Sequence, residues 1–126
     1  MTELMTELIK YIGVATAFML FDIITGLWSS IATGTYKSSI MREGGKHKIT
    51  LILVILFGVL LDYSQTQVDI GFSIPATLLI CMYIIIMEIG SCKENINKAY
   101  DKALPDALNN VIDDAVDKVV NDDKDN

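Results

Sequence analysis

The sequence predicts an all-α integral membrane protein: three transmembrane helices followed by a C-terminal amphipathic helix on the cytoplasmic side. Three observations lead there. Of the 126 residues 52% are hydrophobic and only 21% are charged, with a mean hydropathy of +0.42. The charges are segregated, since 9 of the 16 acidic residues lie after Cys92. Upstream of that point stand three apolar runs that read as spans, where a soluble domain would scatter its apolar residues periodically among polar ones.

The N-terminus lacks the make-up of a cleaved signal, because Glu3 and Glu7 occupy what would be a basic n-region and no small-residue cleavage site follows. Residues 1–10 are therefore expected as a short extracytoplasmic segment. A membrane domain covers 11–90, with spans at about 11–33, 48–63 and 70–90. Tyr11 to Ile31 is interrupted only by Asp22 as a charge, and as a helix it reaches about 31 Å. Ile49 to Leu61 is shorter, about 20 Å, with Lys46 and Lys48 free to snorkel at one end and Asp62 and Tyr63 at the other. Ile70 to Met87 carries no charge, and Pro75 falls in its first turns, where loss of a backbone donor matters least. After Cys92 comes the acidic tail, 91–126, in which Leu104, Leu108, Val111, Ala115 and Val119 mark an amphipathic helix beyond Pro105.

Basic residues in short loops set orientation. Lys37, Arg42, Lys46 and Lys48 stand between the first two spans, and the link from Asp62 to Gly71 has no base. The first loop is thus expected in the cytoplasm, giving an N-out, C-in protein of the cytoplasmic membrane.

Several functions are excluded. A net charge of −6 and a pI near 4.5 disfavour nucleic acid as a partner, because neutralising phosphates needs clustered bases. Gly44-Gly45-Lys46 fails as a phosphate loop: the first glycine of that motif falls at Ile40, and His47 stands where Ser or Thr is needed. Cys81 and Cys92 on one helix would be about 16 Å apart, too far to bridge, and no metal-ligand spacing exists. No cofactor and no enzymatic activity are expected.

The informative residues are polar groups inside the spans. An Asp at a helix centre costs about 2.5 to 3.5 kcal/mol on the insertion scale, against about 0.3 to 0.6 returned by each Leu, Ile, Phe or Val, so Asp22 leaves the first span only marginally insertable. At 100° per residue Asp22 shares a face with Ala15, Gly26, Ser29 and Thr33, widened by Thr25 and Ser30. Gly26, Ser30 and Gly34 lie on small-xxx-small spacing, which suits close helix approach, either within the chain or between copies around a polar lumen. Asp22 is the candidate gating group, favouring the oligomer in which its face meets water; the plainer alternative is pairing with a polar group on the second or third span. Glu88 and Asp62 are further intramembrane candidates, each near a span end.

These residues resemble the three-span phage holins of the toxin-secretion/phage-lysis type. The resemblance covers roughly Phe21 to Pro105: Asp22-Ile23-Ile24-Thr25-Gly26, Lys37-Ser38-Ser39, Gly45-Lys46 with Lys48, Asp62, and Glu88-Ile89-Gly90-Ser91 followed by Glu94-Asn95 and Pro105. Its most specific element is the Glu-x-x-Ser-x-x-Glu-Asn string that includes Ser91, Glu94 and Asn95. The resemblance implies a protein that accumulates in the bacterial cytoplasmic membrane as a homo-oligomer and opens lesions for host lysis. Its partners are then the lipid bilayer, further copies of itself, and an endolysin or large toxin as passing cargo. Two other readings stay open. One is an antiholin or timing regulator, for which the repeat of Met1-Thr2-Glu3-Leu4 as Met5-Thr6-Glu7-Leu8 offers two starts. The other is a non-pore membrane scaffold or small transporter subunit.

Overall fold

A computed structural model describes the backbone of residues 2–125 and the side chains of residues 3–121. Met1, the first residue of the repeated start, and Asn126 lie outside the described residues. Four helices follow one another among the described residues: α1 (Thr2–Thr33), α2 (Ser38–Gln67), α3 (Ala76–Ala99) and α4 (Asp106–Asp125). The first three are long and apolar enough to cross a membrane. Helix α3 is the centre of the bundle. Against it lie α1, α2 and the returning α4, whereas α1 and α2 touch each other little.

The packing is that of a bundle whose solvent is lipid. Large apolar side chains such as Leu20, Ile24 and Trp28 on α1 and Leu53, Phe57 and Leu60 on α2 point outward, and the core between helices is made of Ala15, Met19, Ile55, Cys81 and Ile84. Small residues such as Ala15 and Cys81 stand there among larger ones because helices in lipid gain by close approach rather than by withdrawing apolar surface from water. At Gly58 a Cβ would lie 2.8 Å from Ile80 Cδ1 and 3.3 Å from the Thr77 Cα, so α2 and α3 meet there backbone to backbone. Both cysteines are free and buried.

Helix α1 ends where Gly34 adopts φ +70. The Gly34 N–H donates to Ile31 O at 3.3 Å and the Thr35 N–H to Ser30 O at 2.9 Å, the paired bonds of a Schellman stop. The chain re-enters a helix at Ser38, so Arg42, Lys46 and Lys48 lie on the opening turns of α2 rather than in a loop reaching to residue 48. Two adjacent glycines, Gly44 and Gly45, would each lower helix propensity by about 1 kcal/mol relative to Ala; they are tolerated in a helix held by its later turns.

Residues 70–75, counted with the third span from sequence, precede α3, which begins only at Ala76 with Pro75 as its N-cap. The cap comes from another helix: Asp62 of α2 accepts the Ala76 N–H at Oδ1 (2.9 Å) and the Thr77 N–H at Oδ2 (3.0 Å). One carboxylate thus satisfies two orphan donors and meets the positive end of the α3 dipole. Gln65 helps by accepting the Ile74 N–H at 2.7 Å.

Beyond α3 the chain turns through Lys102, at φ 61, and Pro105. Helix α4 then runs back antiparallel along α3. Asn97 Nδ2 donates to Asn109 Oδ1 at 3.1 Å, Lys93 pairs with Asp113, and Val116 sits against Gly90. This rotates the helix relative to the stripe read from sequence. Ala115 and Val119 are half-buried, but Leu108 and Val111 are exposed, because the contact runs along Asn109, Asp113 and Val116 instead.

Asp62→Ala is expected to lower the stability of the detergent-solubilised protein by about 1–2 kcal/mol, the range of a lost N-cap, with Asp62→Asn losing less because one acceptor survives. Thermal unfolding followed by circular dichroism measures it. Equal midpoints for all three proteins would remove Asp62 as the cap.

Candidate functional site

Three helices each bring a charged residue to one level of the bundle. On α2 the Lys48 ammonium donates to Asp22 Oδ2 of α1 at 2.7 Å and to the Glu88 carboxylate of α3. Asn95, two turns beyond Glu88 on α3, donates from Nδ2 to Asp22 Oδ1 at 2.9 Å and to Thr25 Oγ1 at 3.2 Å. The side chains of Lys48, Asp22 and Glu88 are only 12%, 16% and 5% exposed. One cation faces two carboxylates inside the bundle, and the carboxamide of Asn95 completes the shell of Asp22.

The physical reason is the cost of burying charge. An unpaired ion in a low-dielectric interior loses its hydration without replacement, so each of the three is tolerable only where the others meet it. Lys48 thus turns inward instead of reaching for the membrane surface. Glu88, close to the end of an apolar run, is likewise buried rather than directed to water.

The small polar face of α1 lies on this inner side. Ala15, Thr25 and Ser29 are buried. Several hydroxyls satisfy themselves by bonding back to their own helix: Thr25 to Asp22 O at 3.2 Å, Ser30 to Gly26 O at 2.9 Å and Thr33 to Ser29 O at 2.8 Å. Such back-bonding lets serine and threonine sit at membrane depth without a second helix as partner. In the small-xxx-small series the three members do different work. Gly26 makes room for Asn95, whose Nδ2 would be 3.4 Å from a Cβ there; Ser30 bonds back; Gly34 stops the helix.

Above the charged cluster, toward the α1–α2 connection, the helices part around a cavity of about 840 Å3. Its floor includes Asp22, Lys48 and Asn95, and its walls include Ser30 and Thr33 of α1, Gly44 and Gly45 of α2, and Ser91 and Glu94 of α3. A Cβ at Gly44 or Gly45 would meet nothing within 4 Å, so both glycines border open space. The cavity is a vestibule of mixed lining, in which Ile23, Ile40 and Met41 stand among the polar groups, closed at its base by an ionic cluster and then by the apolar core.

The structure thus brings together Asp22, Glu88, Lys48 and Asn95, with Gly26 beside them and Ser30, Lys46's neighbour Gly45, Ser91 and Glu94 along the vestibule. It leaves Asp62 at the opposite end, as a helix cap. Lys37 is the N-cap residue of α2 without a side-chain cap bond, Lys46 pairs with exposed Glu43 at 3.6 Å, and Arg42 is exposed. Pro105 stands immediately before α4. The plainer sequence reading of Asp22, pairing with a polar group on the second or third span, is what the structure shows; residue type did not name the partners, since Lys48 stood out as a loop base and Asn95 as part of a motif. A usable signal existed, because Asp22, Lys48 and Glu88 each border a charge-free run, Tyr11–Phe21, Ile49–Leu61 and Ile70–Met87 respectively.

The model of the bacteriophage holin family matches residues 1–116, taking in all three membrane-crossing helices and continuing into α4. No curated protein and no solved structure matches the chain. With three apolar helices of membrane-crossing length and a family match over nearly its whole extent, this integral membrane protein belongs to the bacteriophage holin family.

Proposed function

We propose that this holin-like protein homo-oligomerises in the bacterial cytoplasmic membrane, N-out and C-in, and opens lesions through which an endolysin or a large toxin leaves the cell. The observation that carries the reading is the vestibule closed by Asp22, Lys48, Glu88 and Asn95. Ionic and hydrogen-bonded contacts weaken steeply when water replaces a low-dielectric surround, and apolar contacts do not. A bundle held shut by polar groups therefore has two arrangements available: dry, with Lys48 clasped between carboxylates, and wet, with the polar face of α1 lining an aqueous lumen. Association of copies supplies neighbours for the helices that separate, and favours the wet arrangement to the extent that it is more stable in the oligomer.

Inducible expression in a bacterium with and without an endolysin tests the reading. Membrane potential is expected to collapse in both strains, with rapid clearing only where the endolysin is present. Retention of membrane potential and steady growth at high membrane levels of the protein would contradict it.

The clasp makes a directional expectation. Lys48→Met leaves two buried carboxylates without a cation, a change that costs about 3–5 kcal/mol when one partner of a buried pair is removed. It should advance lysis at matched membrane levels. Asp22→Asn keeps hydrogen-bonding groups for Lys48 and Asn95 and leaves Glu88 paired one to one, so lysis should be delayed. Wild-type timing in both variants would exclude the clasp from opening.

For orientation, Ser39 and Gln67 are exposed near opposite ends of α2. Single cysteines at these positions, in a background without the native pair, should react with an impermeant thiol reagent on intact spheroplasts at 67 but not at 39. The reverse pattern would invert the topology.

A further inference from the structure

Charge around the vestibule does not balance. At its floor one ammonium, Lys48, serves two carboxylates, Asp22 and Glu88, which leaves a formal charge of −1. Glu94 and Lys98, both exposed on α3, also line the space. Their charges offset each other without forming an ion pair, so the excess over the whole cavity stays negative.

The uncharged groups are biased the same way. Ser30 donates its hydroxyl hydrogen to Gly26 O at 2.9 Å and Thr33 donates to Ser29 O at 2.8 Å. Asn95 turns its amide hydrogens to Asp22 and Thr25. A hydroxyl or carboxamide whose hydrogens are committed has only lone pairs left to offer. A guest that brings hydrogens and positive charge therefore finds partners here, whereas an anion meets lone pairs and a field of its own sign.

The space suits a small molecule with an apolar part. Its volume of about 840 Å3 lies in the range of roughly 300–1,000 Å3 usual for small-molecule sites. Ile23, Ile40 and Met41 supply an apolar wall beside the acceptors. Helices α1 and α2, which touch each other little, stand on either side.

We propose that the vestibule binds a primary ammonium ion carrying a short apolar chain, with the charge directed to Glu94 and the Asp22 carboxylate and the chain to the apolar wall. Two kinds of molecule carry that chemistry: a soluble alkylamine and the ethanolamine headgroup of a membrane lipid. The inference adds a ligand to the cavity of the proposed opening and does not require that lesions form.

The test titrates hexylammonium chloride calorimetrically into the full-length protein in phosphatidylcholine vesicles, with protein-free vesicles to subtract partitioning. Saturable binding is expected, and none with hexanoate, which has a chain of the same length and the opposite charge. Gly45→Leu fills part of the open space without a clash, since a Cβ there meets nothing within 4 Å, and it raises helix propensity. It should abolish saturable binding with helix content retained by circular dichroism. Glu94→Gln should weaken binding roughly threefold to fivefold, the scale of an exposed ion pair. Adding phosphatidylethanolamine to the vesicles separates the two sources: a higher apparent Kd for hexylammonium assigns the site to the lipid headgroup, and an unchanged Kd assigns it to soluble amines. Absence of saturable binding to the wild type, equal binding of hexanoate, or binding undiminished in both variants overturns the inference and leaves the clasp and its role in lysis standing. A protein that binds the amine yet never depolarises the cell contradicts the proposed function alone.

Discussion

The ammonium of Lys48, shared between Asp22 and Glu88, is the constraint on which the rest of the bundle depends. Each of these residues taken alone would be a liability on a span, since a lone charge in an apolar medium has nothing to replace its hydration. Together they give three helices one register. Pairing Asp22 turns the small, hydroxylated face of α1 inward; pairing Glu88 sets α3 between α1 and α2; and holding Lys48 inside leaves Lys46 and Arg42 as the exposed cations on the opening turns of α2. Asn95 then closes the site, lying beside Gly26.

At the other end of α2 a second carboxylate does a different task with the same economy of parts. Asp62 meets no cation; it accepts two backbone N–H groups that Pro75 and the start of α3 leave without helical partners. Between this cap and the Lys48 cluster lie the apolar core residues Ile55, Cys81 and Ile84 together with the close contact at Gly58. The close-packed part of the bundle is thereby confined to a thin slab, with a vestibule of about 840 Å3 on one side of it. For a holin, whose proposed role ends in an aqueous opening, a bundle whose helices already part from one end down to an ionic cluster needs less rearrangement to become wet.

Fold class and helix number were legible in the sequence because hydropathy over long runs reports directly on the cost of placing groups in lipid. The importance of Asp22 was legible for the same reason: a mid-span carboxylate has a price that only function or pairing explains. Helix boundaries were less so. The loop read as Gly34 to Lys48 is mostly helix, because the stop at Gly34 is a local backbone event, whereas Gly44 and Gly45, which look like breakers, are carried by the helix that follows. Lys48 was read as a snorkelling residue since a lysine at a span end is compatible with either direction, and only its neighbours in three dimensions decide. Asp62 and the register of α4 depended on tertiary contacts that residue type does not encode: which N–H groups lie beside a carboxylate, and which side of an amphipathic helix meets Gly90.

Membership of the bacteriophage holin family joins these features to a biological setting, and the clasp is the point at which structure and proposed function meet. The most direct measurement is the distance between α1 and α2 on either side of the vestibule, by pulsed electron paramagnetic resonance with spin labels at Ile31 and Arg42 in protein reconstituted in lipid. A clasp centred on Lys48 gives one narrow distance distribution in the otherwise native chain and a broad, longer one when Lys48→Met is added. Equally narrow distributions in both would contradict the account, because α1 and α2 would then be held by something other than the buried ammonium.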